Sequence, residues 1–272
     1  MTPTGLEIID PSAPLGRIAH VLFDFDGTLS LIREGWQQVM TPMFVVELKA
    51  LDSGEDDVSL QALVAEFIAR LTGKQTIYQM IELADQISRR GGVPRHPLEY
   101  KHEYLRRLDR HIAERVAGLE SGELSPSQFL VPGAREFLDG LRRRGARLYL
   151  ASGTDEPYVK REAEHLGLAE YFDGGVYGAL DDYKSFSKKM VIDRIVSEHR
   201  LGGPELLGVG DGFVEIENTR QVGGVALGVP IKEDEPNCVD EWKRTRLIGA
   251  GAQLLTTNFA AADDLVRFLF RG

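Results

Sequence analysis

Asp24 and Asp26 stand one residue apart, with Gly27-Thr28-Leu29 directly after them and the apolar run Ala19-His20-Val21-Leu22-Phe23 directly before. Paired carboxylates at the end of a buried strand supply oxygen ligands for a hard cation such as Mg2+, which takes a few carboxylates together with phosphate and water. Gly27 lets the chain turn so that both acids serve one site. An EF-hand calcium loop does not fit. Counting Asp24 as position 1, position 6 is Leu29 where glycine is needed, and position 12 is Gly35 where glutamate is needed.

Three further clusters follow in order. Ser152-Gly153-Thr154, after Leu150-Ala151, offers a hydroxyl and backbone N–H groups that can grip a phosphoryl oxygen, although strand-end Ser-Gly is also an ordinary turn. Ser187-Lys188-Lys189 opens an amphipathic stretch. A lysine at a helix start opposes the dipole, and its compact charge suits phosphoryl oxygens, with Lys184 as a competing position. Gly210-Asp211-Gly212-Phe213-Val214-Glu215 adds two acids after another apolar run.

Short apolar runs at 19–23, 147–151, 206–210, 224–229 and 254–257 read as buried strands of a parallel sheet. Helical spacing over 134–144, 157–166 and 188–199 alternates with them. The alternation predicts a doubly wound α/β sheet, against a mixed α+β fold. Catalytic groups in such sheets gather at the carboxyl ends of the strands, where three of the four clusters fall, while the lysine cluster opens a helix. From 31 to 130 the rhythm breaks. Leu60, Val64, Phe67, Ile68 and Leu71, then Ile77, Met80, Ile81, Ala84 and Ile87, recur at helical spacing. This predicts an all-helical insertion with loops at Ser53-Gly54, Thr72-Gly73 and Gly91-Gly92-Val93-Pro94, inside a core made of 1–30 and 131–272.

Taken together, the four clusters resemble the motifs of the haloacid dehalogenase-like hydrolase superfamily, over roughly 17–30 and 131–230. The resemblance implies a Rossmann-like core with a helical cap in the first insertion position. It implies Asp24 as a nucleophile that forms an aspartyl-phosphate, and Asp26 as general acid and then base. Ser152 would bond the transferring phosphoryl group, with Gly153, Thr154 and Thr28 beside it, and Lys188 would balance its charge. Asp24, the backbone carbonyl of Asp26, Asp211 and Glu215 would surround Mg2+; glutamate stands at 215 where the superfamily usually has aspartate. An acid at position 26 favours phosphoryl transfer over carbon–halogen cleavage. The implied activity is a phosphatase of a small phosphorylated metabolite, with a sugar phosphate as the preferred class. The alternatives are a phosphomutase, a phosphonatase with Lys49 or Lys74 as a Schiff-base lysine, and a silent binding protein.

In the insertion, Thr72-Gly73-Lys74-Gln75-Thr76 is a candidate substrate loop. It is not a Walker A loop, since Ile68 stands where that motif needs glycine. Arg33 and Trp36 are expected at the lid. Arg89 to Arg115 holds eight basic residues against four acids, which reads chiefly as a solvated helix face. Trp242-Lys243-Arg244 reads as a docking helix. The net charge of −10 argues against a nucleic-acid partner, which calls for a basic footprint. The single cysteine, Cys238, excludes an intrachain disulfide and is read as structural. With no apolar h-region and no run near the ~18 residues needed to span a bilayer, no membrane partner is expected and a cytoplasmic location is.

Overall fold

A computed structural model describes residues 3–271. Seven strands form one sheet: β1 (Leu6–Ile8), β2 (His20–Phe23), β3 (Arg147–Asp155), β4 (Val176–Ala179), β5 (Leu206–Gly210), β6 (Val225–Gly228) and, near the C-terminus, Leu254–Thr256. Between the last two lies a hairpin of β7 (Ile231–Lys232) and β8 (Glu235–Val239), so Leu254–Thr256 is β9. The spatial order is β1-β9-β6-β5-β2-β3-β4, parallel throughout except for β1, which runs antiparallel to β9.

The central strands are mostly apolar because both faces of the sheet are covered. Alternate residues of β2 go opposite ways. Val21 and Phe23 join a cluster with Phe137, Leu138 and Leu265, whereas Leu22 joins Ile192 and Ile195. Val21, Leu22 and Phe23 are fully buried, and each contributes about 1.5–3 kcal/mol relative to an exposed position. This is the expected doubly wound α/β sheet rather than a mixed α+β fold. The expected strands are present. β1, β4 and the β7–β8 hairpin were not expected; they are short, and the hairpin is largely exposed. β3 also runs further than expected. Ser152, Gly153 and Thr154 belong to an irregular stretch of the strand, where the register with β4 shifts, and not to a turn.

After β2 the insertion carries five α-helices: α1 (Trp36–Lys49), α2 (Asp57–Leu71), α3 (Ile77–Arg89), α4 (Pro97–His111) and α5 (Ala113–Ser121). The interhelical segments fall where Ser53-Gly54, Thr72-Gly73 and Gly91–Pro94 predicted them. Phe44 of α1 stacks on Phe67 of α2 at 5.6 Å between ring centroids. The chain enters and leaves this insertion through paired linkers: Leu31 N–H donates to Phe129 O (2.8 Å) and Val131 N–H to Leu29 O (3.0 Å). The remaining helices are α6 (Ala134–Arg143), α7 (Glu156–His165), α8 (Lys188–His199), α9 (Phe213–Gln221), α10 (Glu241–Gly249) and α11 (Ala262–Leu269). Among the described residues no helix is long and apolar enough to cross a membrane.

Gly133, before α6, has φ +76°, and a Cβ there would lie 1.9 Å from the backbone oxygen of Phe259. A backbone atom cannot swing aside as a side chain can. Gly133→Ala is therefore expected to cost about 3 kcal/mol, a drop in melting temperature of roughly 6–10 °C. Gly145 has φ +80° with open space around it, so Gly145→Ala meets only the backbone penalty of about 1 kcal/mol. Equal shifts in a thermal melt of the two variants would contradict the steric account.

Candidate active site

The chain leaves the sheet after Phe23. Asp24 still pairs its N–H with Val209 O (2.9 Å), and Gly27, at φ +70°, turns the backbone so that Gly27 N–H meets Ser30 O (2.9 Å). Asp24 and Asp26 both line the same cleft, while Phe25 between them is fully buried. Asp24 Oδ1 accepts from Phe25 N–H (2.8 Å), and Oδ2 lies 2.6 Å from Lys188 Nζ. Asp26 Oδ2 accepts from the hydroxyls of Ser152 (3.2 Å) and Thr154 (2.9 Å). Asp26 Oδ1 makes no hydrogen bond; its nearest ionic neighbour is Arg33 Nε at 3.7 Å. Burial pushes both carboxyls above the usual aspartate range. Lys188 pulls against this at Asp24, and Arg33 does so at Asp26.

Lys188 opens α8, with Ser187 as its N-cap accepting from Met190 N–H (3.1 Å). Its ammonium bridges Asp24 and Glu215 Oε2 (2.7 Å). Burial opposes that charge, but the two carboxylates outweigh it and hold the lysine above its ordinary pKa. Lys184 lies instead over the Tyr183 ring. Asp211 follows β5; its N–H donates to Thr28 Oγ (3.0 Å). Thr28 is fully buried against Asp211 and does not line the cleft, so the substrate contact expected of it is replaced by a hold on Asp211. Glu215 is anchored by Gly212 N–H (2.8 Å). One carboxylate oxygen each from Asp24, Asp211 and Glu215 falls within 4.8 Å of the others. These hard, acidic oxygens fit a divalent cation of the Mg2+ kind. The Asp26 carboxylate lies outside this trio.

The segment after β6 carries a group of site residues that the sequence reading missed. Lys243 Nζ on α10 bridges Asp211 Oδ2 (2.7 Å) and Glu233 Oε1 (2.9 Å), and Lys243, Glu233 and Trp242 all line the cleft. Burial works against the Lys243 charge, yet Asp211 and Glu233 together raise its pKa. The docking-helix expectation is corrected for these residues and holds only for Arg244, which pairs with Glu7 of β1 (2.9 Å). The available signal was positional. The loop after β6 leaves the carboxyl edge of the sheet just as the other three site loops do. Cys238, read as structural, is exposed on the hairpin, where Glu235 raises its pKa.

The insertion supplies part of the cleft wall. Thr72, Gly73, Lys74 and Thr76 line it, and Thr76 N–H donates to Gly153 O (3.3 Å). Gln75 Nε2 ties this loop to Phe186 O (2.7 Å). Arg33 and Trp36 line the cleft as expected, but the Arg33 guanidinium is held by the fully buried Glu162 (2.7 and 3.0 Å), 129 residues away. Lys49 pairs with Asp57 (2.7 Å) and is not among the lining residues. In the basic run, several charges are paired within the molecule: Arg90 with Glu55, Arg95 with Glu47, and the buried Lys101 with Asp155 (2.8 Å). Tyr104 of the same run lines the cleft, which the sequence reading did not foresee.

A family model described as haloacid dehalogenase-like hydrolase matches residues 18–223. Among solved structures the chain is similar to a predicted phosphoglycolate phosphatase from Haemophilus somnus, with a TM-score of 0.58, 15% identity and coverage of 93% of this chain and 98% of that one. It is also similar to a haloacid dehalogenase-like hydrolase from Streptococcus pneumoniae (TM-score 0.56, 20% identity, 93% and 99% covered). A third is a variant of CbbY from Rhodobacter sphaeroides in complex with xylulose 1,5-bisphosphate (TM-score 0.55, 20% identity, 89% and 95% covered). At these identities the likeness shows the fold. No curated protein matches the chain.

Proposed function

Because the chain belongs to the haloacid dehalogenase-like hydrolase family, we propose that it is a Mg2+-dependent phosphatase of a small phosphorylated metabolite, working through an aspartyl-phosphate on Asp24. The observation that carries this reading is the pairing of two aspartates in unlike settings on one cleft. Asp24 is locked against Lys188, and Asp26 keeps one oxygen free of hydrogen bonds.

Asp24 attacks phosphorus, and the ester P–O bond breaks as Asp26 hands its proton to the leaving oxygen. Burial raises the Asp26 pKa, the direction that suits a general acid, with Arg33 opposing it. Asp26, now a carboxylate, takes a proton from the water that attacks the aspartyl-phosphate. Inorganic phosphate leaves and Asp24 is restored. Ser152, Gly153 and Thr154 line the phosphoryl end of the cleft, and Lys188 faces the nucleophile with a fixed positive charge. Asp24, Asp211 and Glu215 are the residues that would hold Mg2+, with the backbone carbonyl of Asp26 as a further donor. When bound, Mg2+ supplies neutralisation of phosphate charge and orientation. Thr28 and Lys243 keep Asp211 in place.

With Mg2+ the purified protein is expected to release phosphate from p-nitrophenyl phosphate and from glucose 1-phosphate, and EDTA is expected to stop both. Conversion of glucose 1-phosphate to the 6-phosphate without free phosphate would overturn the phosphatase reading in favour of a mutase.

A further inference from the structure

We propose that the cleft selects a monophosphate whose leaving group is uncharged and presents a flat apolar face, a pyranose or aryl ring, with Trp242 of α10 as a specificity-determining residue. This rests on the reading of the Asp24 end as the phosphoryl site.

Charge bookkeeping gives the first half. Four cations line the cleft: Arg33, Lys74, Lys188 and Lys243. Three are committed, Arg33 to Glu162, Lys188 to Asp24 and Glu215, and Lys243 to Asp211 and Glu233. Glu162 and Glu215 are fully buried. A second substrate phosphate could draw Arg33 or Lys188 away only by stranding a carboxylate in the interior, which is strongly unfavourable. Glu233 and Asp240, also on the wall, repel a second anion. Among the described residues only Lys74 lines the cleft without a carboxylate partner, and it is exposed and lies over the Tyr78 ring. The cleft is built to balance one phosphate.

The second half comes from the rest of the wall. The cleft has about 130 Å³ open to the centre of a water-sized sphere, room for more than a phosphoryl group. Trp36, Met40 and Tyr104 from the insertion and Trp242 from α10 supply apolar surface, and Gln79 and Thr72 supply uncharged polar groups. Trp242 is 47% exposed, unusual for so large a side chain, and it lines the cleft. It is also backed. Arg246 lies 5.0 Å from its ring centroid and is itself fastened to Arg70 O (2.6 Å) and Ala69 O at the end of α2. An indole pinned on one side and open on the other is a stacking surface for a ring.

The chain has two tryptophans, Trp36 and Trp242, and both line this cleft, so intrinsic emission reports binding without turnover. The experiment titrates Asp24→Asn, and wild-type protein stripped of divalent metal as a guard against a folding defect, with four probes. These are glucose 6-phosphate, phenyl phosphate, glycerol 3-phosphate and glucose 1,6-bisphosphate. Both ring monophosphates are expected to change the emission and to bind about 10-fold tighter than glycerol 3-phosphate, with the bisphosphate no tighter than glucose 6-phosphate. In Trp242→Ala, followed through Trp36, that ring preference is expected to vanish, and Trp242→Phe is expected to restore most of it. No response to ring phosphates, equal affinity for glycerol 3-phosphate, or a bisphosphate bound 10-fold tighter each overturns the proposal. Wild-type turnover of the same esters separates the two readings. Ring-selective binding without phosphate release would sink the phosphatase alone, and release with no ring preference would sink the ring pocket alone.

Discussion

Replacing Asp24 by Asn is expected to lower phosphate release from any ester by at least about 10⁴-fold while leaving the fold intact. A nucleophile that forms the covalent intermediate has no substitute, and losses of this order or greater are typical when one is removed. The fold is expected to survive for three local reasons. The asparagine oxygen can still accept from Phe25 N–H, Lys188 keeps Glu215, and a buried acid that Glu215 and Asp211 both disfavour is gone. The measurement is turnover of p-nitrophenyl phosphate beside a thermal melt. Undiminished turnover with an unchanged melt would remove Asp24 from the mechanism.

Lys188→Met is expected to do both kinds of damage. Lys188 is nearly fully buried and touches Asp24 at 2.6 Å and Glu215 at 2.7 Å, so its loss leaves two neighbouring carboxylates without their shared cation. Breaking a buried ion pair in this way costs about 3–5 kcal/mol, or roughly 10 °C in melting temperature for a chain of this size. Turnover is expected to fall by about 10²–10³-fold through loss of fixed positive charge at the phosphoryl group. Because the stranded carboxylates are the ones grouped to take a divalent cation, excess Mg2+ is expected to recover part of the lost melting temperature, and more in Lys188→Met than in wild type. Melts in EDTA and in Mg2+ decide this. Equal Mg2+ effects on the two proteins would mean that Lys188 and the cation do not share these carboxylates.

Three of the four clusters that could be read from sequence share one property: a continuous apolar run leads straight into each. Asp24, Ser152 and Asp211 end β2, interrupt β3 and follow β5, and continuous apolarity announced those strands. The choice between Lys188 and Lys184 turned on where α8 begins, a matter of Ser187 capping Met190 N–H. What could not be read joins distant segments. Glu162 on α7 holds Arg33 across 129 residues, and neither residue has a local pattern that names the other. Lys243 lies ten residues beyond Glu233, and only the turn-back of the exposed β7–β8 hairpin brings them together over Asp211. Tyr104 sat within a charged stretch whose composition spoke for solvent, yet it faces inward from a helix whose other faces carry the charge.

The paired linkers at Leu29–Leu31 and Phe129–Val131 also govern the order of assembly. His20 of β2 meets Arg147 of β3 roughly 125 residues later, and its other neighbour, β5, comes later still. On a ribosome adding about 5–20 residues per second, the central strand waits about 6–25 s with neither edge paired. The helices made in that interval rest on local contacts, which form fast. Once they pack, the linker pairing draws the end of β2 to the approach of β3. The longest connection between consecutive strands is then closed by a body already folded, and the sheet does not have to close it against the entropy of an open chain.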